Sequence, residues 1–211
     1  MSVMTQPKAE HPKIAPLDTA KIREEETRAV TDTLALIPDP MARLEKAVAI
    51  IKDAEVTEAR LDRVVKQYAL SLALREGVRG VFNAIPMTRS GFYQLTEKVL
   101  GDPVPYEKVS RTGKTTTKIK YVWPERPVSW DETVAERAAA KGVRLDRSAA
   151  ANLPKAAAEL YAAQVRIEAA IAVRDELVPV VATTADSKAA VARLIGRHPS
   201  RVSHLVKAAQ Q

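Results

Sequence analysis

Side chains able to grip a polyanion crowd the end of this chain. From Ser187 onward the charged residues are Lys188, Arg193, Arg197, Arg201 and Lys207, with no carboxylate among them. His198, Ser200, Ser203 and His204 are interleaved with these cations. Guanidinium and ammonium groups bind phosphate oxygens, and Arg, Ser and His also hydrogen-bond to base edges. Other chemistry has little to work with. There is no cysteine, and of the three histidines His11 lies near the N-terminus, while His198 and His204 are six apart and do not share a helical face as metal ligands four apart would. The acidic residues are dispersed at solvated positions, as in Glu24-Glu25-Glu26. Gly113-Lys114-Thr115 ends like a phosphate-binding loop, but Lys108 stands where the leading glycine is required. No catalytic residue, metal ligand or cofactor is expected, which disfavours an enzyme.

The stretch from Ser187 to Ala208 must position the basic cluster, and it reads as two short helices around a tight turn. Ser187 suits an N-cap, and Val191, Ala192, Leu194 and Ile195 share one helical face. Gly196 allows a sharp turn, and Pro199 fits the first turn of a second helix. A small residue, Ala192, precedes the turn glycine by four, and the apolar Val202 and Leu205 follow it by six and nine. This spacing resembles the helix-turn-helix of bacterial and phage DNA-binding regulators. The resemblance implies that the second helix enters the major groove. Arg197, His198, Ser200, Arg201, Ser203, His204 and Lys207 would then face double-stranded DNA.

Residues 77–101 repeat the pattern. Aligned without gaps, Phe92 falls on Val202, Leu95 on Leu205, Val81 on Val191 and Ile85 on Ile195, with RLDRVV and VRDELV as similar flanks. Phe82 replaces the small Ala192, and Pro86 replaces Gly196, so this copy needs a different helix crossing. Met87 to Leu95 looks like a recognition helix capped by Thr88, offering Thr88, Arg89, Ser90, Tyr93, Gln94 and Lys98 to DNA. Thr117, Ile119, Tyr121 and Trp123 then alternate with Lys118, Lys120 and Val122, which predicts a strand, with a hairpin loop at 111–114. A basic hairpin behind a recognition helix resembles the wing of winged-helix domains, and would add Arg111, Lys114, Lys118 and Lys120 to the DNA contacts. Trp123 and Trp130 are expected in a core.

Elsewhere, Asp39-Pro40 is a helix-start signal, followed by the stripes Met41, Leu44, Val48, Ile51 and Leu61, Val64, Val65, Tyr68, Leu72, read as two amphipathic helices. Ser129 opens a short polar helix stopped by Gly142. A long helix is expected from about Pro154 to Val178, ended or bent by Pro179, with Leu160, Ile167, Ile171 and Val178 as its seam. That seam suits a homodimeric coiled coil or docking onto the chain's own helices. The expected organisation is a flexible tail over 1–37 (with a helix over 18–36 as the alternative), a winged helix-turn-helix domain over 38–126, a connecting segment over 127–153 and a second helix-turn-helix domain over 154–211. The fold class is therefore mainly α, with two helix-turn-helix units, a wing-like β-hairpin after the first and a long connecting helix.

The chain has 211 residues, 46% hydrophobic, with a net charge of +7 and an isoelectric point of about 9.6. That balance favours a polyanionic partner. The absence of cysteine suits a reducing cytoplasm, no apolar run approaches the roughly 20 residues needed to span a bilayer, and the first residues lack the apolar core of a secretory signal. These features lead to the expectation of a cytoplasmic transcriptional regulator, a repressor for instance, reading a bipartite operator. A plasmid or phage partition, replication or DNA-packaging protein shares the same motif, and a helical protein-interaction adaptor is the alternative from a different class.

Overall fold

The computed structural model describes residues 14–76, 81–110, 113, 115–122, 136, 138–184 and 188–209. It is mainly helical, with one two-stranded antiparallel hairpin among the described residues. In chain order come α1 (Thr19–Ala35), α2 (Pro40–Glu76), a 3-10 turn (Phe82–Ala84), α3 (Arg89–Leu100), β1 (Asp102–Val109), β2 (Thr115–Val122), α4 (Ala149–Thr184), α5 (Lys188–Leu194) and α6 (Pro199–Ala208). The chain forms two compact units, one of Met1–Leu17 with Val64–Ala157, the other of Asp18–Arg63 with Ala158–Gln211. The division falls within α2 and α4, so neither unit is one continuous segment as the sequence suggested.

Several helix starts follow from local chemistry. Asp18 caps α1 by accepting the Lys21 N–H at 3.0 Å, so residues 19–35 are helix rather than tail. Asp39 caps α2 through the Ala42 N–H at 2.7 Å, and Pro40 takes the first helical position. The two stripes read as two helices belong to one helix of 37 residues. Ala54, 4% exposed, carries the buried face between Ile51 and Leu61, and no glycine or proline interrupts it. Helix α4 likewise starts earlier and runs further than expected. Asp146 and Ser148 organise its start, and the helix continues through Pro179 to Thr184. Proline removes one internal donor there without stopping the helix.

In the first unit the second part of α2 buries Val65, Ala69, Leu70, Leu72, Ala73 and Leu74, and Val81, Ile85 and Phe92 are buried beyond it. Ser71 is fully buried and takes the Asp146 N–H at 2.9 Å, while Gln67 donates to the Arg144 carbonyl at 2.7 Å. These bonds satisfy polar groups that burial would otherwise penalise. Residues 138–140 end in a left-handed Gly142 (φ 65°), whose neighbours close the turn through Val143 N–H to Ala138 carbonyl at 2.8 Å. The hairpin pairs Val104 with Lys120 and Tyr106 with Lys118. Its expected apolar face is not buried: Ile119 is 60% exposed, and Val104, Tyr106 and Val109 are exposed as well. Alternation here made a strand, but a two-stranded ribbon has too few neighbours to cover either face.

The second unit is a helical bundle. Val30 and Leu34 of α1 pack with Ala47 and Ile51 of α2 and Ala170 of α4. At its other cluster, Leu44 and Val48 of α2 and Leu177, Val178, Val181 and Ala182 of α4 receive Val191, Ala192 and Ile195 together with Val202 and Val206 of α6. Arg166 donates to both carboxylate oxygens of Glu26 at 2.6 and 3.0 Å, and this partner holds its guanidinium further above its ordinary range. The seam of α4 is occupied within the chain: Leu160 and Val178 are buried, and Ile171 packs against the α1 cluster.

Candidate nucleic-acid interface

The turn between α5 and α6 is built as its sequence requires. Gly196 adopts φ 63°, the left-handed region that favours glycine. The Arg197 N–H donates to the Ala192 carbonyl at 2.9 Å and the Gly196 N–H to the Arg193 carbonyl at 3.2 Å. This paired closure satisfies carbonyls that the end of α5 leaves open. The chain then re-enters helix at His198, whose Nδ1 accepts the Ser200 N–H at 3.3 Å and lies 2.9 Å from Ser200 Oγ. Pro199 occupies the first turn, where a missing N–H costs nothing. Ser187, expected to cap α5, lies outside the described residues.

Helix α6 separates into two faces. Val202 and Val206, four apart, are buried in the cluster with α2, α4 and α5, and Leu205 packs against it half-buried. Ser200, Arg201, His204 and Lys207 are exposed, as are Arg197 and His198 before them. Ser203 is half-buried at the edge of this face. Val206 thus joins Val202 as a buried inward anchor one turn on, with Leu205 packed beside them as expected. His198 is present but committed: with Nδ1 turned to the cap, only Nε2 is left for a ligand.

The first unit repeats the anchors without repeating the turn. Val81, Ile85 and Phe92 are buried, as are Val191, Ile195 and Val202 at the aligned positions. Thr88 caps α3 as expected, its Oγ accepting the Gly91 N–H at 3.1 Å. Ahead of α3, however, the described residues hold a three-residue 3-10 turn where α5 has seven residues of α-helix. Proline cannot take the positive φ of Gly196, and Ile85 is extended instead (φ −126°, ψ 147°). Arg89, Ser90, Gln94 and Lys98 are exposed on α3, and Tyr93 is half-buried. The Arg89 guanidinium lies 5.5 Å from the Phe82 ring centre and 5.6 Å from that of Tyr93. Two rings therefore steer this cation, and Phe82, the departure from the small-residue pattern, supplies one of them. Lys118 and Lys120 are exposed on β2. Arg111, Lys114, Trp123, Trp130 and His11 fall outside the described residues.

One basic grouping escaped the sequence reading. In the second unit, Lys52 of α2, Arg174 of α4, and Arg193 and Arg197 at the end of α5 line one cleft. A signal existed: Arg174 stands seven residues after Ile167 and falls in the apolar seam of α4, a position where a charge must be partnered. Among the described residues no group of three or more His, Cys, Asp or Glu side chains could hold a metal ion, and no helix is long and apolar enough to cross a membrane. Comparison with protein-family models, curated proteins and solved structures finds no match to this chain.

Proposed function

We propose that this chain binds double-stranded DNA sequence-specifically, as a transcriptional regulator reading a bipartite site through α6 and α3. The observation that carries this reading is the division of α6. Its apolar side is anchored by Val202 and Val206, and its other side presents Ser200, Arg201, His204 and Lys207 without a carboxylate. Such a rod, set by a closed turn and two inward valines, has the form of a helix that reads the major groove. Lys and Arg contacts to phosphates would supply most of the affinity, while Arg201, Ser200 and His204 on α6, with Arg89 and Gln94 on α3, would discriminate bases. The two recognition helices differ in sequence, so a single chain would prefer a site with two unlike halves.

Selection of bound duplexes from a random pool tests this directly. The expected result is an enriched site with two dissimilar half-sites, and an affinity whose logarithm falls linearly with the logarithm of salt concentration. No enrichment, together with no salt-sensitive binding to any duplex, would refute it and favour a protein-binding role for the helices.

A further inference from the structure

We infer that the cleft between α2, α4 and the α5–α6 turn is a binding site for a small phosphate-bearing organic anion. Its volume is about 340 Å³, near the lower end of small-molecule sites and more than a bare phosphate needs. Four cations line it, from three different elements, and Glu55 is the one carboxylate on its wall. With Asp175 counted as the partner of Arg174, the site still carries an excess of two positive charges.

Arg174 is the informative member. It is only 7% exposed, and Arg is rarely so buried without a partner. Its Nε and Nη2 both turn to a single oxygen, Asp175 Oδ1, at 2.8 and 2.7 Å. That leaves three of its five N–H donors for other acceptors. Among the described residues no buried side-chain nitrogen or oxygen lacks a partner, and Arg174 is one of the residues that line the cleft. Lys52, Arg193 and Arg197 are exposed, and among the described residues none of them is held in an ion pair. A guanidinium fork beside an ammonium matches the oxygens of a phosphate. The negative end of α5 does not oppose this, because Gly196 and Arg197 already occupy the carbonyls of Arg193 and Ala192. Val48, Ile51, Leu194 and Ile195 complete the lining and suit the carbon skeleton of an organic phosphate. A bound molecule would tie the α5–α6 turn to α2 and α4, because its cations come from both.

This inference does not depend on DNA binding. The test is thermal unfolding of the full DNA-free chain in sodium chloride, inorganic phosphate or ribose 5-phosphate at matched ionic strength. At about 10 mM ligand, a site of millimolar affinity raises the midpoint by roughly 3–6 °C over chloride, with ribose 5-phosphate above inorganic phosphate. The double variant Lys52→Gln/Arg193→Gln, altered only at exposed side chains, should unfold like the parent in chloride and lose both shifts. Equal midpoints in the three salts, or shifts kept by the double variant, would overturn the inference. Equilibrium dialysis with ribose 5-phosphate and a saturating selected duplex then separates the sources of phosphate. Co-occupancy supports a free ligand, whereas complete displacement would reassign the cleft to a DNA backbone phosphate. A chain that binds no duplex yet keeps the phosphate shift would sink the DNA reading alone.

Discussion

Replacing Gly196 by alanine isolates the backbone contribution of the turn on which α6 depends. At φ 63° an added Cβ meets no heavy atom within 4 Å, so crowding by neighbours contributes nothing. What remains is the clash of Cβ with its own carbonyl in the left-handed region, roughly 1–2 kcal/mol. Alanine also restricts the unfolded chain, returning about 0.4–1 kcal/mol. The middles of the two ranges give an expected net loss of about 0.8 kcal/mol. Urea unfolding should show a lower midpoint with an unchanged slope, because the surface exposed on unfolding is the same. Asparagine tolerates the left-handed region better than alanine, so Gly196→Asn should fall between the two. A variant Gly196→Ala as stable as the parent would refute the assigned turn geometry. A loss beyond about 3 kcal/mol would refute the open space around the glycine, since strain alone does not reach it.

Three further outcomes are expected. His198→Ala removes the cap of α6 and should cost about 1 kcal/mol, with His198→Ser or His198→Asp restoring most of it in the same urea assay. Arg201→Ala should weaken binding to the selected duplex by ~1–3 kcal/mol and relax preference at one base position, whereas Lys120→Ala should lower the salt slope by about one and leave preference intact. The Asp146 carboxyl is held below its ordinary range first by the Ser148 hydroxyl and then by the Ser148 N–H. Because its folded value is depressed, its contribution is present above the unfolded value of ~3.9 and fades as pH falls through the folded value. The stability difference between the parent and Ser148→Ala, followed by urea midpoints against pH, should accordingly be largest at neutral pH and shrink in acid.

The parts legible in the sequence are those fixed by local chemistry. Asp39 and Thr88 announce helix starts and Gly196 announces a sharp turn, and each does so in the structure, whereas the cap at Asp18 signals a helix only as the alternative to a tail. The inward side of α6 was half legible: Val202 anchors as expected, while Val206 had to be seen in place. What failed depended on residues that carry no strong preference. Alanine gives weak contrast in a hydrophobic pattern, so Ala54 hid the continuity of α2. Proline is a frequent stop, yet Pro179 lies inside α4, where neighbouring side chains are already buried. The cleft was the least legible feature, since Lys52, Arg174 and Arg193 are far apart in sequence and only packing collects them.

The ribbon of β1 and β2 carries one further implication. Its bare apolar side chains and, among the described residues, its two unpaired rims have the makings of a template on which strands from other molecules would otherwise grow. Pro103 and Pro105 stand two apart on β1, so their missing N–H groups lie on one side of the strand. The pairing with β2 is continuous from Asp102 to Val109, which puts that side on the outer rim. An incoming strand would find two successive donors absent there, and the same chain that leaves valine and isoleucine uncovered is thereby shielded from stacking into fibrils along this rim.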